Sequence, residues 1–237
     1  MRRDPVGGSL AVGIDVGAAA AWAVALELGK PSDGAGVARI ASTALFHPVD
    51  PAALRQFCVG AASVAIDAPD RSSSLPHAGD ARLAAKFQRA RCAEVALRLT
   101  GVAVPWVTPA SGEPVAGWMA TGWSIWSALR DAGVEPLETY PHAVFARLAG
   151  RALLHKSRPS GLRARAQALV GAVELPEGLA MWSHDGLDAL AAALVAWQAA
   201  HGTAVRIDCA SDTAWGVHDG SAIWLPPTTA STAAGLG

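Results

Sequence analysis

Charge is scarce in this chain: Asp, Glu, Lys and Arg make up 16% of 237 residues, against 51% hydrophobic residues. That balance excludes an intrinsically disordered protein and predicts a packed core. Long apolar runs are missing as well. Asp15, Glu27 and Asp188 interrupt the apolar stretches, and the uncharged segment 189–200 falls short of the ~20 residues that a membrane-spanning helix needs. No membrane partner is expected. Cysteine is rare too, and Cys58, Cys92 and Cys209 are odd in number, far apart and without a C-x-x-C spacing. This argues against a disulfide framework and against a zinc module, and leaves buried, reduced thiols as the expectation. Met1-Arg2-Arg3 precedes an apolar stretch as in a secretory leader. Asp15 lies inside that stretch, however, and the glycine spacing suits a strand and turn, so a cytoplasmic protein is expected.

A strong excess of either charge is also lacking, the formal net charge being −1. The average conceals segregation along the chain. Arg82, Lys86, Arg89, Arg91 and Arg98 fall close together with only Glu94 to oppose them, and the segment holding Arg147, Arg151, Lys156, Arg158, Arg163 and Arg165 contains no acid. Beyond it Glu174, Glu177, Asp185, Asp188, Asp208, Asp212 and Asp219 face Arg206 alone. A polyanion held on a basic side of an acidic centre would suit such a distribution.

The pattern of apolar runs and turn residues predicts α/β architecture. Residues 10–14, 21–28 and 37–46 read as three successive strands, the first turn being marked by Asp15 and Gly17. A three-strand meander is not how a dinucleotide-binding sheet begins, because there a helix follows the first strand. Asp50-Pro51 signals a helix start, and 63–67 reads as a fourth strand stopped by Pro69. Helices are then expected over 80–99, 118–131, 143–148, 161–170 and 184–200, with a short strand at 134–139 and a closing hairpin over 214–225 around Asp219-Gly220. One domain over residues 9–226 with flexible tails at 1–8 and 227–237 is expected. No internal repeat is present.

Asp15, Asp67 and Glu138 each end a predicted strand, where distant residues of an α/β sheet converge. Asp185 and Asp188 stand three apart at the start of the last helix and so share a face. Gathered carboxylates repel one another, and a divalent cation relieves the repulsion. An oxygen-only set favours Mg²⁺ or Mn²⁺ over zinc, and two such ions suit in-line phosphoryl displacement. Singly, each acid has a plain structural role available, as a turn former or a helix N-terminal charge; it is the set that points to chemistry.

The ordered stretches Gly13-Ile-Asp-Val-Gly17, Ile66-Asp-Ala-Pro69, Arg91-Cys-Ala-Glu-Val-Ala-Leu-Arg98, Glu138-Thr-Tyr-Pro-His142 and Asp185-Gly-Leu-Asp-Ala189 resemble those of domain of unknown function family 429, described as predicted nucleases of RNase H fold. The resemblance implies an RNase H-like mixed sheet, a meander followed by helix–strand units flanked by helices. It also implies a two-metal nuclease acting on DNA or RNA, and the Asp-x-x-Asp pair is similar to that of Holliday-junction resolvases. Asp15 would bridge the metals, Asp185 and Asp188 would complete the shell, and Asp67 or Glu138 would be the remaining ligand. Arg91, Arg98 and Lys156 would contact backbone phosphates. After Pro69 the family tends to continue with small apolar residues and Gly, where this chain has Asp70-Arg71-Ser72-Ser73-Ser74.

Two other functions fit parts of the pattern. Gly13-Ile-Asp-Val-Gly17 is also similar to the phosphate-approaching turn of actin-like phosphotransferases, but those pair two such halves and this chain has one. A nucleic-acid-binding module without catalysis is the second. Trp118, Trp123 and Trp126 share one predicted helix, where core packing is the default reading for aromatics and base stacking the alternative. His142 and His184 flank the acids and are candidates for a general base or a phosphate contact.

Overall fold

The computed structural model describes residues 9–29, 37–175, 182–209 and 216–228. Three strands, β1 (Leu10–Val16), β2 (Ala21–Glu27) and β3 (Ala38–Phe46), form the expected antiparallel meander. Helix α1 (Pro51–Cys58) starts at Asp50, whose side chain accepts from the Ala52 amide at 2.9 Å, and leads into β4 (Ser63–Asp67). β4 lies parallel to β1 on the side away from β2. After α2 (Cys92–Leu99) and α3 (Gly117–Arg130) the two-residue β5 (Leu137–Glu138) adds parallel to β4. Helices α4 (Pro141–Ala149) and α5 (Pro159–Leu169) follow, and β6 (Val173–Glu174), which the sequence pattern does not signal, pairs parallel with β3. The sheet order is β5-β4-β1-β2-β3-β6, a mixed RNase H-like sheet flanked by helices. Helix α6 (His184–Ala200) has its predicted bounds, with Ser183 capping the Gly186 amide at 3.1 Å.

Two expected elements differ. Residues 80–86 do not continue α2 backwards: only a 3₁₀ turn at Phe87–Arg89 precedes it, and Arg91 is extended (φ −72°, ψ 160°). Helical propensity yields there to burial of Arg91, whose guanidinium reaches two carboxylates outside its own segment, Glu138 and Asp70. The closing hairpin around Asp219-Gly220 does not form among the described residues. Instead β8 (Ile223–Leu225) pairs with β7 (Val205–Ile207). Asp219 serves as a cap from a distance, accepting from the Cys92 amide at 3.1 Å while Ser221 Oγ accepts from the Ala93 amide at 3.0 Å. The tails 1–8 and 229–237 lie outside the described residues, as do Glu177 and Asp212. Among the described residues no helix is long and apolar enough to cross a membrane.

Alternation along β1 and β4 divides the interior in two. Val12, Ile14, Val16, Val64 and Ile66 face a core shared with Leu54 of α1 and with Ile125, Trp126 and Leu129 of α3. Ala11 and Ala65 face α6, against Ala192 and Ala196. Gly13 lies on that second face, and a Cβ there would overlap the backbone of Ala189 and Ala193. Against β1 and β4 the helix thus rests on small residues, which sets Asp188 beside the end of β1. Gly13→Ala is expected to destabilise the protein by about 3 kcal/mol, the upper end for overpacking, because backbone and not a flexible side chain must move. Denaturant unfolding measures this; a loss below about 1 kcal/mol would show that α6 can slide away from β1.

Candidate metal centre and flanking clefts

Asp15 and Asp67 are register partners on the parallel strands β1 and β4. They project to the same face, the one covered by α6. Asp188, 3% exposed in the first turns of α6, joins them, and one carboxylate oxygen from each of the three lies within 4.8 Å of the other two. Glu138 pairs with Ile66, not with Asp67. That one-residue offset turns it to the opposite face of the sheet. There it binds Arg91 through both oxygens, at 2.7 and 2.5 Å, and accepts from the Asp70 amide at 3.0 Å. Of the two acids left open by the sequence, Asp67 is in the cluster and Glu138 is not. Asp185 stands at the rim, its side chain 43% exposed and 3.5 Å from His184 Nε2.

Asp15 and Asp67 bear the mark of crowding. Burial first, then repulsion from Asp67, Asp188 and Asp185, holds the Asp15 carboxyl well above the usual range. Burial and then Asp188 push Asp67 up to about 8. Two cations offset part of this. Lys156 Nζ reaches Asp188 Oδ2 at 2.9 Å, and the buried Arg165 of α5 reaches Asp188 Oδ1 at 2.9 Å. Burial alone would lower the Lys156 pKa, but attraction to Asp188, Asp15 and Asp67 outweighs it and raises it. The other Arg165 amino group lies 3.2 Å from His142 Nδ1. Burial and then Arg165 lower the His142 pKa, which favours a neutral ring. The donor set is all oxygen and charge-rich, so the residues fit a hard divalent cation held by Asp15, Asp67 and Asp188.

A cleft opens on each side of the cluster. One, of about 400 Å³, runs from Asp15, Asp67 and Asp185 past Trp22, Trp106, Trp118 and Tyr140. The other, of about 260 Å³, is lined by His142, His155, Lys156 and Arg165 together with Asp67 and Asp188. Lys156 and Tyr140 border both. Sequence reasoning missed Arg165 as a site residue, and also Trp106, which is 62% exposed. The acid-free basic segment was the available signal for Arg165; Trp106 sits in a Pro- and Gly-rich loop and carries none. Among the helical tryptophans, Trp126 is core, its indole N–H donating to Ala68 O at 3.2 Å, whereas Trp118 lines the cleft.

The basic residues divide differently from the sequence expectation. Arg91 is 1% exposed and held by Glu138, Glu94 and Asp70, so it has no face for a phosphate. Arg82 pairs with Asp80, two residues before it, and Arg89 with Glu113, so these partners neutralise much of the first basic run. Asp70, at the departure from the family pattern, also binds Arg71 and Arg130. Arg98 is exposed in the last turn of α2 and lines neither cleft. In the second run Arg151, Arg158 and Arg163 are exposed near the basic cleft's own segment.

The strand order and the acid cluster define an RNase H-like α/β protein with an acidic centre. Residues 13–212 match the family described as "Protein of unknown function (DUF429)", and the chain belongs to that family. Among solved structures it is similar to Thermus thermophilus RuvC, at 16% identity, covering 82% of this chain and 97% of that one with a TM-score of 0.46. A second similar structure is T. thermophilus RuvC in complex with Holliday junction substrate, at 17% identity with the same coverage and TM-score. No curated protein matched.

The two kinds of buried acid should respond oppositely to neutralisation. Glu138→Gln removes the bidentate partner of the buried Arg91, leaving it Glu94 and Asp70, and is expected to cost about 3 kcal/mol. Asp67→Asn removes repulsion and should raise the metal-free melting temperature by about 2–4 °C, or about 1 kcal/mol. Its folded pKa of about 8 lies above the unfolded value, so the stability contributed by its protonated form is full below pH ~4 and is lost as pH rises through 8. The gain from Asn therefore grows across that window. Calorimetry in chelator measures both, and equal destabilisation by the two variants would contradict the assignment.

Proposed function

We propose that this protein is a metal-dependent nuclease that hydrolyses phosphodiester bonds of nucleic acid at the Asp15, Asp67 and Asp188 cluster. The observation that carries the reading is the convergence of these three carboxylates, from β1, β4 and α6, between an aromatic and a basic cleft. Asp15, repelled by each of the other acids, would hold the cation together with Asp67 and Asp188, with Asp185 at the rim. Mg²⁺ or Mn²⁺, when bound there, supplies neutralisation of the acids and polarisation of a water and of the phosphate, as two ions do in in-line displacement.

The chain's own residues do the rest. Lys156 offers an ammonium at the junction of both clefts, where a non-bridging phosphate oxygen would take its N–H in place of Asp188. Arg165, locked under Asp188 and stacked 4.9 Å from the Phe145 ring, orients that acid. Trp106 and Trp118 present faces on which unpaired bases stack, a contact worth ~1–3 kcal/mol per base and tolerant of sequence. Arg151, Arg158 and Arg163 are the candidates for backbone phosphates beyond the centre. In the reaction the water oxygen bonds to phosphorus as the bridging ester oxygen departs. One proton leaves the water and one reaches the leaving oxygen.

With Mn²⁺ or Mg²⁺ the purified protein is expected to cut at least one member of a panel of single-stranded, duplex, hybrid and branched substrates. Asp15→Asn and Asp188→Asn should lower the rate more than about a hundredfold, and Trp106→Ala should weaken substrate binding with less effect on the maximal rate. Binding without cleavage across the panel, by folded protein, would contradict the catalytic assignment and leave a binding module. Saturable, metal-dependent ATP binding would instead favour a phosphotransferase.

A further inference from the structure

The described residues contain a second ligand cluster, remote in chemistry from the acidic one. His77, Cys92 and Cys209 are all buried, and one donor atom from each lies within 4.8 Å of the other two. Cys209 Sγ stands 3.9 Å from His77 Nε2 and 3.2 Å from the Cys92 carbonyl oxygen. In a tetrahedral zinc site, bonds of ~2.3 Å to sulfur and ~2.0 Å to nitrogen set sulfur and nitrogen about 3.5 Å apart and two sulfurs about 3.8 Å apart. The spacing of 3.9 Å from Cys209 Sγ to His77 Nε2 is within about 0.4 Å of the first of those edges, and no donor pair in the cluster exceeds 4.8 Å. The third cysteine, Cys58, lies apart under α1 in the opposite core, where burial pushes its thiol up to about 12.

We propose that His77, Cys92 and Cys209 form a structural zinc site that staples the 72–90 loop region and the segment after β7 to the start of α2.

Three features of the surroundings support the assignment. First, the stapled region has little core of its own: Phe87, Ala90 and Val95, with Leu83 and Val107 against them, make a small separate cluster. Loop-rich segments of this kind gain most from a metal crosslink. Second, Cys92 is the first residue of α2, so its sulfur sits at the positive end of the helix, which favours thiolate. Third, the charges balance. Two thiolates and one neutral imidazole around Zn²⁺ sum to zero, the arrangement that burial tolerates best. Binding is then the exchange of two thiol protons for one zinc ion, with no change of oxidation state.

The site and the acidic centre are distinguishable by cobalt. Full-length protein purified with reductant and without chelator is expected to carry about one zinc per chain by elemental analysis. After stripping, Co²⁺ should produce the intense visible bands of a tetrahedral ion and the thiolate charge-transfer band in the near ultraviolet, both abolished by zinc. Cys92→Ser and Cys209→Ser should lower affinity more than about tenfold, while Asp15→Asn should leave the spectrum intact. Should either cysteine variant not fold, the wild-type titration decides alone. Faint octahedral bands without charge transfer would come from the carboxylates only and would overturn the proposal, as would metal-free protein with a Cys92–Cys209 disulfide.

Discussion

The contact of Gly13 with the backbone of Ala189 and Ala193 is the constraint on which the candidate centre depends. A strand and a helix that meet through a missing side chain come closer than any Cβ would permit. Because Asp15 follows Gly13 by two residues and Asp188 precedes Ala189, the close approach also fixes the acids that flank it. Register completes the set, since parallel pairing of Asp15 with Asp67 delivers the third carboxylate without a loop. Apolar packing thus imposes an electrostatic cost: α6 and the sheet hold the acids together although their charges repel. A site with this design is unfavourable until cations enter it, which is a reason for Lys156 and Arg165 to lie where they do.

The same sheet puts a different use of carboxylates on its other face. Glu138 and Glu94 enclose Arg91 in an ion cluster that joins β5, α2 and the Asp70 turn. With Arg71 and Arg130, which also pair with Asp70, three arginines meet three acids on this side, whereas acids on the α6 side outnumber their partners. Buried matched pairs position structure, and buried unmatched acids invite a ligand. This contrast separates the two groups of acids more clearly than their positions at strand ends do.

Much of this was legible in the sequence, and what was not has identifiable causes. The meander, α1, β4 and α6 follow from local periodicity, with Asp50-Pro51 marking the start of α1, because their signals lie within a few residues. The strand-end rule pointed to Asp67 and Glu138 alike, since sequence does not show that β5 pairs one residue out of step with the acid on β4. Arg91 read as a phosphate contact because its partners lie 21 and 47 residues away. The missing helix at 80–86 has the same origin. Cys92 and Cys209 read as isolated thiols because the fold, not their spacing, brings them together. Trp106 was invisible because exposure of a loop aromatic has no local signature.

The central claim is that three acids distant in sequence share a divalent cation. An anomalous-scattering map from crystals soaked in Mn²⁺ tests it most directly. The account predicts a peak in contact with carboxylate oxygens of Asp15 and Asp67 and beside Asp188, with Glu138 still bound to Arg91. Strong peaks elsewhere, with Asp15, Asp67 and Asp188 bare at saturating Mn²⁺, would contradict it.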